Sequence, residues 1–149
     1  MANVLYDKGR NAYLQASINW LVDPIRLGLV SIVNQPTAYV FNASLDDFYA
    51  SVPTGSRIGM SIASIGNVGG GAGGKTATSG IADAQDTLFT AASGPTIGAL
   101  VICRSTATAN ASDWPLIAYI DTATGMPVGP NGGDITVQWD NGTNKIFKL

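Results

Sequence analysis

The pattern closest to a catalytic signature lies in a glycine run. Gly69, four residues, then Gly74-Lys75-Thr76 satisfy the formal spacing of a phosphate-binding loop, and the apolar run Leu116-Ile117-Ala118-Tyr119-Ile120 ends in Asp121, as a metal-positioning strand would. Such a loop cradles phosphates with backbone N–H groups and aims the N-terminus of the following helix at them. The residues after Lys75 (Thr76-Ala77-Thr78-Ser79-Gly80-Ile81-Ala82-Asp83-Ala84) carry no apolar helical stripe and contain a breaker at Gly80. The spacing is therefore read as a low-complexity loop, and nucleotide hydrolysis is not expected.

Other candidate groups are sparser. Asp46 and Asp47 invite acid–base or metal chemistry, but adjacent carboxylates after Ser44 fit the cap and dipole of a helix start better. Asp83 and Asp86 offer oxygens to calcium without the spacing of a dedicated calcium loop. Cys103 sits within the run Leu100-Val101-Ile102 and reads as a small buried hydrophobe. There is no histidine in the chain, which removes the commonest general base and most zinc sites. No catalytic residue, metal site or cofactor is expected.

The elements that would position any site read as strands. Runs at 25–33, 37–41, 57–65, 75–79, 87–91, 97–104, 116–120, 134–139 and 145–148 are separated by Gly, Pro, Asn and Ser clusters. Short strands at this spacing predict an all-β fold: a single β-sandwich or partly closed barrel of about eight strands, in one domain spanning 1–149. A short N-terminal helix is expected over 4–17, with Asn3 as cap and Leu5, Ala12 and Ala16 facing the core. Gly9 weakens it by about 1 kcal/mol relative to Ala. In the last third, Ile135, Val137 and Trp139 alternate with polar residues, and Asp140-Asn141-Gly142-Thr143 predicts a hairpin turn leading to Lys145-Ile146-Phe147-Lys148. The chain stops directly after that strand, as a part of an assembly would.

Charged residues make up 12% of the chain, about half the usual share, and the net charge is −2. A largely neutral polar surface resists self-association weakly. Eight scattered lysines and arginines form no stripe that could follow a nucleic-acid backbone. No signal peptide and no apolar run of membrane-spanning length are visible. Trp20, Trp114 and Trp139 raise the alternative of a carbohydrate- or receptor-binding module; Trp139 reads as core and the other two sit at element edges.

Several segments resemble small virion structural proteins of tailed bacteriophages. They are Val4-Leu5-Tyr6-Asp7-Lys8-Gly9-Arg10, Ile25-Arg26-Leu27-Gly28-Leu29-Val30, Leu116-Ile117-Ala118-Tyr119-Ile120-Asp121-Thr122-Ala123-Thr124-Gly125, and Pro130-Asn131-Gly132-Gly133-Asp134-Ile135-Thr136-Val137-Gln138-Trp139-Asp140-Asn141-Gly142. The resemblance covers roughly half the chain and carries no catalytic motif. It implies a capsid decoration (cement) protein, made in the bacterial cytoplasm and working on the capsid surface. A tail or fibre component is the alternative place in the virion. The implied partners are the major capsid protein and copies of the chain itself; a trimer is favoured over a dimer on the resemblance alone. No nucleic acid or membrane is expected as a partner. The residues expected at the partner interface are Tyr6, Arg10 and Tyr13 on the helix, and Trp20 after it.

Overall fold

The computed structural model describes residues 3–33, 38–58, 66–67, 74–106, 110–143 and 145–149. Among them, one helix accompanies three antiparallel sheets in a sandwich-like all-β fold that does not close into a barrel. The large sheet has the order β1-β8-β7-β2-β3, built from Val4–Leu5, Leu116–Ile120, Ala99–Arg104, Ile25–Val30 and Gly66–Asn67. A second sheet orders β10 (Phe147–Lys148), β5 (Ile81–Ala84) and β4 (Lys75–Thr78), and a third pairs β6 (Thr87–Phe89) with β9 (Ile135–Val137).

The central strands follow directly from their composition. A strand covered on both faces reads as a continuous apolar run rather than an alternation. In β7, Leu100 and Ile102 enter one core cluster while Ala99, Val101 and Cys103 enter another, and β8 divides in the same way between Ile117 and Leu116. On the first face the large sheet meets Phe89, Trp139, Ile146 and the helix residue Ala12. On the second it is covered by irregular segments carrying Tyr39, Tyr49, Val52 and Trp114. In β2, Gly28 leaves room for the Tyr49 ring: a Cβ there would lie 2.9 Å from the Tyr49 hydroxyl.

Several expected boundaries move. The helix α1 is Asp7–Leu14; Val4 and Leu5 belong instead to β1, paired with Tyr119 and Ala118. Tyr6, not Asn3, holds the N-cap position, and it makes no side-chain cap. Ala16 lies beyond the helix at φ 54° and is exposed. In 37–41, Thr37 lies outside the described residues, and 38–41 are irregular, with the Tyr39 N–H donating to the Ser31 carbonyl at 3.1 Å. Of the strand expected at 57–65, Arg57 forms an isolated bridge with Val30; 59–65 lie outside the described residues, as does 69–73 of the glycine run. The residue read as a breaker, Gly80, is a hairpin turn: Ser79 at φ 54° and Gly80 at φ 77° join β4 to β5, the double positive φ that a tight hairpin needs.

Among the described residues the expected C-terminal hairpin is absent. β9 pairs with β6 and β10 pairs with β5, in different sheets. The Asp86 carboxylate takes the Trp139 backbone N–H at 3.0 Å, and the Asp140 carboxylate takes the Gly142 N–H at 3.0 Å. Both bonds satisfy backbone donors with side chains and turn the chain away before a return ladder can start. The inward face is as expected: Ile135 and Val137 are half-buried against the core and Trp139 is buried.

Candidate functional site: the helix surface and the intersheet cleft

The four residues expected at an interface separate in the structure. Tyr6 is fully buried. Its hydroxyl lies 2.7 Å from that of Tyr39, which donates to Asp46 Oδ2 at 2.6 Å. Tyr39 has one hydroxyl proton and spends it on the carboxylate, so Tyr6 is the donor of the pair. The Asn42 N–H adds a bond to the same Asp46 oxygen at 2.8 Å. Phe41 packs edge-on to Tyr6 at 5.1 Å and stacks on Tyr119 at 4.4 Å. Burial raises the pKa of both Tyr6 and Tyr39, because the phenolate would lose its hydration.

Trp20 is also buried, its indole N–H shared between the carbonyls of Thr76 at 3.0 Å and Asp83 at 3.2 Å. Its ring meets Phe147 edge-on at 5.3 Å, and Tyr13 reaches the same Phe147 at 6.2 Å. Tyr6 and Trp20 are thus core residues in this fold, which corrects their assignment to a partner-facing surface. The reason is the small inner face of α1. Its buried residues are Gly9 and Ala12, so the helix lies close to β8 and the large rings at its ends fold inward. Tyr13 is half-buried, with burial raising its pKa. Arg10 is exposed and bonds Asp7 at 2.9 Å within the helix, a pair worth little in water.

What composition reading missed is the aliphatic surface beside these aromatics. Leu14 is 86% exposed, Val22 78% and Leu21 51%. Leu14 ends α1, and the turn carrying Leu21 and Val22 is held by side-chain bonds. Trp20 anchors it as described, the Asn19 N–H donates to the Asp23 carboxylate at 2.8 Å, and Asp23 pairs with Arg104 at 3.0 Å. The run Trp20-Leu21-Val22 before Asp23-Pro24 was the available signal.

The remaining chemical candidates are occupied structurally. Lys75 opens a strand rather than a helix, and its ammonium donates to the Asp23 carbonyl. Burial lowers its pKa while Asp23 opposes the shift. Asp46 binds Tyr39 and Asn42, as above, and Asp47 offers its backbone carbonyl to Leu116 at 3.0 Å. Neither begins a helix: the nearest helical turn is a single 3-10 turn at Tyr49–Ser51, capped by Phe48 without a side-chain bond. Asp83 pairs with Lys145 at 3.2 Å. Cys103 is fully buried, which pushes its thiol up to about 12. Trp114 is core, stacked on Tyr49 at 6.3 Å. Among the described residues no three His, Cys, Asp or Glu side chains cluster as a metal site, and no helix is long and apolar enough to cross a membrane.

A cleft of about 690 Å³ opens between the large sheet and β9. Leu29, Leu100 and Ile120 form its aliphatic floor, Val137 and Trp139 the opposite wall, and Thr122 and Asp140 stand in its lining as polar groups. The Trp139 indole N–H is buried and has no hydrogen-bond acceptor among the described residues, a deficit of about 1–3 kcal/mol for a donor withdrawn from water.

Compared with known proteins, the chain matches no protein-family model and no curated protein.

Proposed function

We propose that this chain is a structural protein of a tailed-phage virion, a capsid decoration protein that binds the outer shell and bridges coat subunits. The observation that carries the reading, beside the resemblance of the N-terminal segment, β2 and the last third, is the exposed pair Leu21 and Val22 on a turn anchored by Trp20 and Asp23, with Leu14 exposed at the end of α1. Large aliphatic side chains held rigidly in water mark a surface that a partner covers. A rigid segment also loses little conformational entropy when it docks. The low charge density favours the same outcome, since few ionic groups must be desolvated at the contact.

The mechanism is linkage. A protein that binds the assembled shell and not its free subunits shifts the balance towards assembly. Repeated over many equivalent positions, modest contacts resist the pressure of the packaged genome. Arg10, exposed at the helix surface, offers a directional group for a carboxylate on a neighbour.

The test compares particles assembled with and without the protein, heated while genome release is recorded. Release at a higher temperature in decorated particles supports the reading. Equal stability rejects it and moves the chain to a tail or fibre position.

A further inference from the structure

The intersheet cleft runs along an unused edge of β9, and that backbone decides what the cleft can take. In an antiparallel pair, alternate residues of a strand turn their N–H and C=O groups to the partner and the others turn theirs away. The Gly133 carbonyl accepts from the Ala92 N–H at 2.9 Å, and the Trp139 N–H goes to the Asp86 carboxylate at 3.0 Å. The odd-numbered positions of this run therefore face β6 and its flanks, and Ile135 and Val137 between them pair with Phe89 and Thr87. Thr136 and Gln138 point their groups to the other side, where no backbone bond receives them among the described residues. The cleft lies on that side: every residue from 135 to 140 lines it, and none of β6 does. Successive side chains of a strand point to opposite faces, so a space touched by all of them follows the edge rather than one face. We propose that the cleft takes an extended segment of a partner protein as an added strand, antiparallel to β9. That segment alternates β-branched apolar with small polar residues and starts with a lysine or arginine beside Asp140. This binding mode does not depend on the decoration reading.

The edge itself suits strand addition. β9 is Ile135-Thr136-Val137, β-branched throughout, with no proline, glycine or charge to guard it. Neighbouring strands lie about 4.8 Å apart, stacked sheets about 10 Å apart, and a strand rises about 3.3 Å per residue. On those spacings a cleft of about 690 Å³ holds a segment of about four residues. Leu29, Leu100 and Ile120 beneath it meet the apolar side chains, while Thr122 and Thr124 across from β9 meet the polar ones. A purely hydrocarbon ligand would leave the outward amides of β9 unmatched; a peptide backbone matches them. The charges of the lining set the direction. Lys145 is paired with Asp83 at 3.2 Å, whereas the exposed Asp140 carboxylate has no cationic partner among the described residues. It stands past the C-terminal end of β9, so the basic residue begins an antiparallel segment.

The experiment titrates the peptide acetyl-Lys-Thr-Val-Thr-Val-Thr-amide into the full chain and follows the backbone amide resonances by NMR. Saturable one-site binding with a dissociation constant below about 1 mM, moving the Thr136 and Gln138 amides most, is the expected result. Glutamate in place of the peptide lysine should weaken binding about threefold. Two further peptides carry N-methyl groups on one or the other alternate set of residues, and the set that faces β9 should lose binding. Thr136→Pro removes an outward N–H and leaves the β6 ladder intact, a place where an edge strand accepts proline. That variant should keep its fold and bind about tenfold more weakly. Absence of saturable binding overturns the proposal, as do largest shifts elsewhere or unchanged affinity for both methylated peptides. A folded Thr136→Pro variant that binds like the parent does the same. Concentration-dependent broadening of the Thr136 and Gln138 amides in the free chain would assign the edge to a second copy and also overturn it.

Discussion

Tyr6 and Tyr39 hold their hydroxyl oxygens 2.7 Å apart inside the protein, and Tyr39 passes the chain of donors on to Asp46. This relay ties the start of α1 to the irregular segment that covers the second face of the large sheet. The two tyrosines are unequal partners. Tyr39→Phe leaves the Tyr6 hydroxyl buried without its acceptor and is expected to lower stability by about 1–3 kcal/mol. Tyr6→Phe leaves Tyr39 still bonded to Asp46 and should cost about 1 kcal/mol. Urea unfolding of the two variants checks the order; a larger loss for Tyr6→Phe would contradict the direction of the relay.

Gly9 reverses what helix propensity alone implies. Replacing a mid-helix glycine by alanine ordinarily stabilises by about 1 kcal/mol. Here the added Cβ would lie 2.8 Å from Ile117 Cα and 2.9 Å from the carbonyl oxygens of Leu116 and Ile117, all backbone atoms of β8. Gly9→Ala is expected to destabilise by about 1–3 kcal/mol, the usual range for overpacking. A raised melting temperature would show that the helix can retreat from the sheet.

Alkaline pH should weaken the fold by a known route. The Cys103 thiol is raised from 9.0 to about 12 and Tyr119 from 10.0 to about 12, each chiefly by burial. The folded state therefore holds protons that the unfolded chain releases. This contribution is complete below pH 9 and is lost as pH climbs towards 12, with a limiting slope of about 1.4 kcal/mol per pH unit for the thiol. Between pH 9 and 10 the thiol shares the loss with the tyrosines Tyr6, Tyr13, Tyr39, Tyr49 and Tyr119, all raised by burial, so Cys103→Ala should make the stability profile shallower there without flattening it. Denaturant midpoints measured at intervals from pH 7 to 11 decide the matter.

Trp139 closes the cleft and belongs to the first core cluster. Trp139→Ala should cost about 3–5 kcal/mol, as expected when a buried large aromatic is emptied. A loss below about 1 kcal/mol by equilibrium unfolding would place the ring at the surface.

Leu14→Ser combined with Val22→Ser tests the proposed contact surface. Both side chains are largely exposed, so the free protein's stability should stay within about 0.5 kcal/mol of the parent. Binding to particles, measured by co-sedimentation, should fall by about tenfold or more. Undiminished binding would show that this face is not the contact.

What the sequence made legible was governed by burial. The strands with hydrocarbon on both faces, β2, β7 and β8, were readable from their continuous apolar runs. The alternation of Ile135, Val137 and Trp139 gave the correct inward face. It did not give the partner, because β9 joins β6 through contacts distant in the chain, while the local Asp140-Asn141-Gly142 signal matches a hairpin equally well. β5 went unseen because Ile81-Ala82-Asp83-Ala84 is short and only weakly apolar. The aromatics Tyr6 and Trp20 looked like spare contact surface because nothing local reveals that α1 docks through Gly9 and Ala12. That docking also turns Leu14 outward.

The order of strands in the large sheet has a kinetic side. β1 pairs with β8, and Asn3 accepts a hydrogen bond from Thr122, 119 positions away. β2 likewise finds β7 across most of the intervening sequence. Pairings of this kind require large loops to close before any contact rewards them, so folding is slow for a domain of this size. During that interval the apolar runs of β7 and β8 lie unpaired and can join the same runs of other chains. The yield of refolded protein will therefore be set by a race between ring closure within one chain and collision between two, and dilution favours the first.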